Sequence, residues 1–176
     1  MSALPAAAMR GPLVAALAAA LALLAGTAAL SAQAVRQAEF DPAAFFTGET
    51  QSEGTLKQIF SSRKATRVTT FGTMRGPGEI VLEQDVRIGD QPVRHRTWLL
   101  RETAPGRIAG SITDAGPVTG SVSGNALTLT YTLDNHLSVH QVVTVNPGGQ
   151  SAENVMRIRR FGITVARLTE TIRRKQ

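Results

Sequence analysis

Turn signals recur at short intervals through most of this chain, and the runs between them alternate apolar and polar residues. Gly54, Gly72, Gly76-Pro77-Gly78, Gly89-Asp90, Pro105-Gly106, Gly116-Pro117, Gly124-Asn125, Asp134-Asn135, Pro147-Gly148-Gly149 and Gly162 punctuate the sequence. Short period-2 runs between frequent Gly, Pro and Asn breaks specify antiparallel strands joined by tight turns, not helices. The clearest run is Ala126–Asp134, where Leu127, Leu129, Tyr131 and Leu133 share one face. Thr128, Thr130, Thr132 and Asp134 occupy the other, as in a strand with water on one side. Across Gly78–Ile88, Ile80, Leu82, Gln84, Val86 and Ile88 face one way, against Glu83, Asp85 and Arg87.

This punctuation predicts an all-β domain, an antiparallel meander of about eight to ten strands closing into a barrel or a sandwich. The expected strands are 45–50, 54–62, 65–74, 79–88, 92–101, 107–114, 117–123, 126–134 and 137–146, then a long segment 153–174 broken near Gly162. That last segment has room for two. Only Asp41–Phe46 suggests a helical turn, with Asp41 as cap and Pro42 at the first position. A meander of this size encloses space for one small ligand. A membrane-spanning barrel is disfavoured, because the outward residues form no lipid-facing band and Trp98 and Tyr131 are the chain's lone Trp and Tyr, too few for aromatic girdles.

The chain before this domain reads as an export signal, residues 1–34. Arg10 precedes an uncharged Ala- and Leu-rich stretch, Leu13–Leu30, which ends in Ser31-Ala32-Gln33-Ala34. Small residues at 32 and 34 predict cleavage between Ala34 and Val35, releasing a domain spanning 35–176 into the periplasm. The alternative is an uncut apolar helix that tethers the domain to the membrane. Without a single Cys among 176 residues there is no disulfide framework, thiolate nucleophile or Cys-based metal site.

Loss of residues 1–34 removes only Arg10 from a total of 19 basic and 13 acidic side chains, so the domain stays basic. An exported basic domain suits anionic headgroups or acidic small molecules. With few aromatics to stack on bases, nucleic acid is not an expected partner. The densest basic cluster is Arg157, Arg159 and Arg160, with Arg173, Arg174 and Lys175 at the end. An anionic membrane surface is therefore a second candidate partner; a solvated strand face explains the same residues.

Catalytic and metal patterns are weak. His136 and His140 have a spacing that suits zinc on a helix, but on a strand they stand roughly 13 Å apart. Gly120-Ser121-Val122-Ser123-Gly124 carries Val at the place where a nucleophile elbow needs Ser. Glu83 and Asp85 lie about 7 Å apart on one strand face, which is the polar face, so an exposed pair is expected. No cofactor motif is present. The informative group is Arg94, Arg96, Trp98 and Leu100, which share a face. If Trp98 and Leu100 point inward, so does Arg96. An inward Arg either pairs with a carboxylate, for which Asp114 is the candidate, or forms an anion site.

Several of these pieces, in this order, resemble the DUF3833 family: Phe46-x-Gly48, Arg96-x-Trp98, Gly110-Ser111-Ile112-Thr113-Asp114-Ala115-Gly116, Gly120, Gly124-Asn125-Ala126-Leu127, Tyr131-x-Leu133, Asn154 and Phe161-Gly162. The resemblance covers about Phe45 to Arg174. It implies a lipocalin-type barrel in a bacterial envelope protein, often carried on a lipoprotein signal, whose Cys this chain lacks. It also implies Glu within Leu-x-Glu-x-Phe, where this chain has Leu82-Glu83-Gln84-Asp85-Val86. If that Glu pairs with the Arg at 96, the charge partner is lost here, which strengthens an anion site at Arg96. The expected function is binding of a lipid or other hydrophobic or amphiphilic small molecule inside the barrel, with Gln84, Arg96, Trp98, Asp114 and Tyr131 as pocket residues. The alternatives are an isomerase or hydrolase on the same barrel, using Arg96 and Asp114, and an assembly factor of the cell envelope.

Overall fold

The computed structural model describes residues 40–175. The export segment, its cleavage site and the start of the released domain lie outside the described residues. Within them the chain forms one short helix, α1 (Pro42–Phe46), and ten strands. These are β1 (Gly48–Gln58), β2 (Lys64–Gly76), β3 (Glu79–Ile88), β4 (Arg94–Ala104) and β5 (Arg107–Ile112). They continue with β6 (Val118–Ser123), β7 (Ala126–Thr132), β8 (Ser138–Val145), β9 (Ser151–Arg160) and β10 (Ile163–Arg174). Each strand pairs antiparallel with the next, and β1 pairs with β10, from Thr50 opposite Arg174 to Gln58 opposite Ala166. The meander thus closes into a barrel, leaving no sheet edge unpaired.

Alternation explains the interior. Leu127, Leu129 and Tyr131 are buried with Ile80, Leu82, Trp98, Leu100, Val139 and Val143, while the intervening residues of β3, β4 and β7 face outward or are less buried. The expected helical turn at Asp41–Phe46 is present, and the Asp41 carboxylate accepts the Ala44 amide at 3.0 Å. The expected strand at 45–50 is corrected: Phe45 and Phe46 belong to α1, and 48–58 is one strand where two were expected. Asp41 and Pro42 start a helix that the apolar pair must finish. A Gly inside the strand run marked a break; instead Gly54 makes room, since a Cβ there would lie 2.5 Å from the Glu170 Cγ. The long final segment divides into β9 and β10 at Phe161-Gly162.

Because consecutive strands run antiparallel, the turns fall alternately at two ends. The β1–β2, β3–β4, β5–β6, β7–β8 and β9–β10 turns share one end. The other end carries α1, whose Phe46 joins Phe40 and Phe45 in the core. Phe40 donates its amide to the Gly124 carbonyl at 2.8 Å, and the Phe46 carbonyl rests against Gly72, where an added Cβ would come within 1.9 Å. Toward that end the inward residues Ile80, Leu100, Val143, Ala152 and Ile172 are buried. Toward the opposite end Val86, Ile88, Arg96, Leu133 and Ile158 are only half-buried. One end is plugged by α1, and the interior opens at the other.

Candidate functional site

The interior holds a cavity of about 150 Å³. Its lining is mainly apolar, with Phe46, Leu82, Leu129, Val139, Met156 and Leu168 among its walls. Two groups of polar side chains interrupt it.

The first group stands on β2, β3, β4 and β7. Register sets Thr70 opposite Gln84 and Gln84 opposite Arg96, with Leu82 opposite Trp98. The Trp98 indole donates to the Gln84 Oε1 at 2.7 Å, and Gln84 Nε2 donates to the Thr70 Oγ1 at 2.9 Å. Gln84 therefore uses both ends of its amide inside the barrel. The Tyr131 ring meets Trp98 edge-to-face, centroids 5.4 Å apart, an arrangement that aromatic quadrupoles favour. Tyr131 donates weakly to Gln141 Oε1 at 3.4 Å, and burial pushes its pKa up despite the nearby Arg96 charge. Arg96 lines the same wall, half-buried, and pairs with no carboxylate among the described residues.

Asp114 is not part of this arrangement. Extending the β4–β5 register, which sets Trp98 opposite Ile112, would carry Asp114 to the level of Arg96. The chain leaves the ladder first. β5 ends at Ile112, Asp114 takes a left-handed φ of 61°, and its side chain is exposed in the β5–β6 turn. The expected Arg96–Asp114 ion pair does not form, and an acid and base pair at these positions has no structural basis. Gln84, Arg96, Trp98 and Tyr131 are brought together on the cavity wall; Asp114 is outside it.

The second polar group was not anticipated. Across β2, β1, β10 and β9 the register aligns Thr66, Gly54, Glu170 and Asn154. With no side chain at Gly54, Glu170 extends over it, between Thr66 and Asn154. The Asn154 amide donates to Glu170 Oε2 at 3.1 Å. Burial pushes the Glu170 pKa up, and the Thr66 hydroxyl and Asn154 amide oppose this without cancelling it. The Thr66 contact is loose, since Thr66 Oγ1 and Glu170 Oε1 both lack a partner in hydrogen-bond geometry. Thr50 Oγ1 and Asn154 Oδ1 are also buried without partners among the described residues, and all four residues line the cavity. Buried polar atoms are nearly always satisfied, so four on one wall mark a place where a ligand or water supplies the missing bonds. One sequence signal existed: Glu170 falls in phase with inward Leu168 and Ile172. Its partners come from other strands, however.

The remaining motifs stay outside. His136, in the β7–β8 turn, and His140, outward on β8, are both exposed. Ser121 and Ser123 lie on β6, facing outward. Glu83 and Asp85 form an exposed cluster as expected, closed by His95, whose Nδ1 meets Asp85 and whose Nε2 meets Glu83, each at 2.9 Å. These contacts raise the His95 pKa, Asp85 more than Glu83.

In backbone form the barrel is similar to an S-type phycobiliprotein lyase from Guillardia theta, at 9% identity and a TM-score of 0.61, over 76% of this chain and 90% of the lyase. It is also similar to Rv2717c from M. tuberculosis, at 16% identity and a TM-score of 0.57, over 77% of this chain and 98% of that one. Identities this low establish the shared fold alone. No curated protein matches the chain. The model of DUF3833, described as a protein of unknown function, matches residues 21–174, which take in all ten strands of the barrel, and the chain belongs to that family.

Proposed function

We propose that the barrel is an exported binding protein that holds one narrow amphiphile, a lipid or another hydrophobic metabolite with an acidic head. The reading rests on one observation: an Arg with no carboxylate partner among the described residues, Arg96, on the wall of a largely apolar cavity. A half-buried guanidinium offers several fixed donors to a carboxylate or phosphate, and the apolar walls take the tail. A dry apolar cavity of about 150 Å³ accepts a molecule of benzene's size, so a slender chain or single ring fits better than a bulky one. The fold neighbour named a phycobiliprotein lyase is compatible with small-molecule work on such a barrel. Release into the periplasm after Ala34 completes the proposal.

Trp98 is the chain's single tryptophan and lines the cavity, so its emission reports occupancy. Titration with a medium-chain fatty acid is expected to shift that emission, and protein purified without detergent is expected to carry an amphiphile in native mass spectrometry. Arg96→Gln weakens the acid by about tenfold or more, as loss of one charge-assisted contact predicts, and leaves the matching alcohol unchanged. No co-purifying molecule together with an unmoved Trp98 emission would overturn the proposal.

A further inference from the structure

The open end of the barrel carries large apolar side chains in full contact with water. Phe60, in the β1–β2 turn, is 103% exposed, and Phe161, in the β9–β10 turn, is 93% exposed. Ile163 and Ile59 beside them are 67% and 49% exposed. These two turns are neighbours, because β1 pairs with β10: Gln58 stands opposite Ala166, and Ile59 donates its amide to the Val165 carbonyl at 3.0 Å. Phe60 and Phe161 also adopt left-handed backbone, φ 59° and 50°. Turn geometry asks for Gly or Asn at such positions, so the backbone does not call for a bulky aromatic there; the Phe161 ring has the neighbouring Arg160 guanidinium 5.5 Å from its centroid.

Charge surrounds these tips on one side only. Residues 54–68 and 154–169 contain eight Lys and Arg and no Asp or Glu. Register lines up His140, Arg157, Arg167 and Lys57 across β8, β9, β10 and β1, all exposed, with Arg159 and Arg160 nearer the tip. Of the eight only Arg67 has an ion pair, to Glu53 at 3.4 Å, among the described residues. The acids at this end, Asp90, Asp114 and Asp134, belong to the three other turns. Aromatic tips above a belt of unpaired cations match a bilayer interface with anionic headgroups, where aromatic rings and Lys or Arg both settle.

We propose that the β1–β2 and β9–β10 hairpins dock this barrel on an anionic lipid bilayer, with Phe60 and Phe161 entering the interface and Lys57, Arg157, Arg159, Arg160 and Arg167 meeting the headgroups. The molecule leans onto its β9–β10–β1–β2 side, which sets the cavity's open end toward the membrane. Docking does not require an occupied cavity, so it stands or falls separately from the binding reading above.

The absence of native Cys makes the test local. Single cysteines replacing Phe60 or Phe161, or Gly124 or Gly148 at the opposite end, carry an environment-sensitive dye in the full chain. Because the dye reports the depth of its own position, vesicle binding through the apolar segment Leu13–Leu30 does not mimic the result. On phosphatidylcholine vesicles containing phosphatidylglycerol, dyes at 60 and 161 shift to shorter wavelength and are quenched by bilayer-embedded quenchers; those at 124 and 148 stay aqueous. Each basic residue near such a surface is worth about fivefold in partitioning. Replacing Arg157, Arg159 and Arg160 with Gln therefore cuts tip burial on the order of 100-fold, as does high salt, more weakly. Tips as aqueous as positions 124 and 148 on anionic vesicles overturn the proposal. So does equal burial on pure phosphatidylcholine, and so does a concentration-dependent dimer that shields the tips without lipid.

Discussion

Gln84 ties the first polar group of the cavity together, because a neutral amide can both accept from Trp98 and donate to Thr70. Its two hydrogen bonds hold the Trp98 ring in place, and the neighbouring Arg96 has no carboxylate partner among the described residues. Gln84→Leu keeps the size but strands the Trp98 N–H and the Thr70 hydroxyl. A buried donor left unsatisfied costs about 1–3 kcal/mol, so the variant is expected to lose that much stability in chemical denaturation. His95 offers a second test at this scale. Its two carboxylate contacts hold it above the ordinary imidazole value of 6.5. The stabilisation is fully present below that value and lost as pH rises through the raised one. Proton resonances of the His95 ring are expected to titrate above 6.5, and Asp85→Asn to bring the midpoint down. A midpoint at or below 6.5 in the unchanged protein contradicts the geometry.

At the scale of elements, α1 is the piece that makes the barrel a cup. Five residues are too few to be a stable helix in isolation. α1 holds because Asp41 caps it and because Phe45 and Phe46 are buried at the closed end. Its seat depends on Gly72, where a side chain would strike the Phe46 carbonyl. Gly72→Ala is expected to lift α1 from the barrel and lower stability by about 1–3 kcal/mol, as overpacking does. Hydrogen exchange reads the consequence directly, with faster exchange at Phe45 and Thr47, whose amides bond within α1, and little change on β7 and β8. Turn punctuation located β2 to β10 within a few residues but split β1 in two. It misread Gly54 as a break and let β5 run to Asp114, because neither a neighbour's need for space nor a left-handed residue leaves a mark in local alternation.

For the molecule as a whole, the buried carboxyl of Glu170 couples stability to pH. Its pKa is raised in the folded barrel by burial, so the folded state holds a proton the unfolded chain has already released. Stability is therefore full below the ordinary carboxylate value, 4.5 here, and declines as pH rises from there through the raised value. Melting temperature is expected to fall over that interval in the unchanged protein. Glu170→Gln keeps the Asn154 contact and removes the proton, so its melting temperature is expected to stay flat there; parallel curves for the two proteins would assign the pH dependence elsewhere.

The inward set was legible because alternation is local: a strand of period 2 declares both faces within a few residues. Tyr131 needed nothing more to be placed facing the interior, whereas alternation put Arg96 and Trp98 on one face with Leu100 and left the direction of that face to the structure. Strand count and the exposed Glu83–Asp85 pair followed from the same logic. Tertiary structure decided which inward residues become neighbours. Gln84 meets Trp98 through the β3–β4 register, and Glu170 meets Asn154 and Thr66 through closure of β10 on β1 and β9. Asp114 was lost to the site by one backbone angle, and Phe60 and Phe161 came together only because the first and last hairpins adjoin. Registers and closure join residues more than a hundred positions apart, and no periodicity within one strand carries that information.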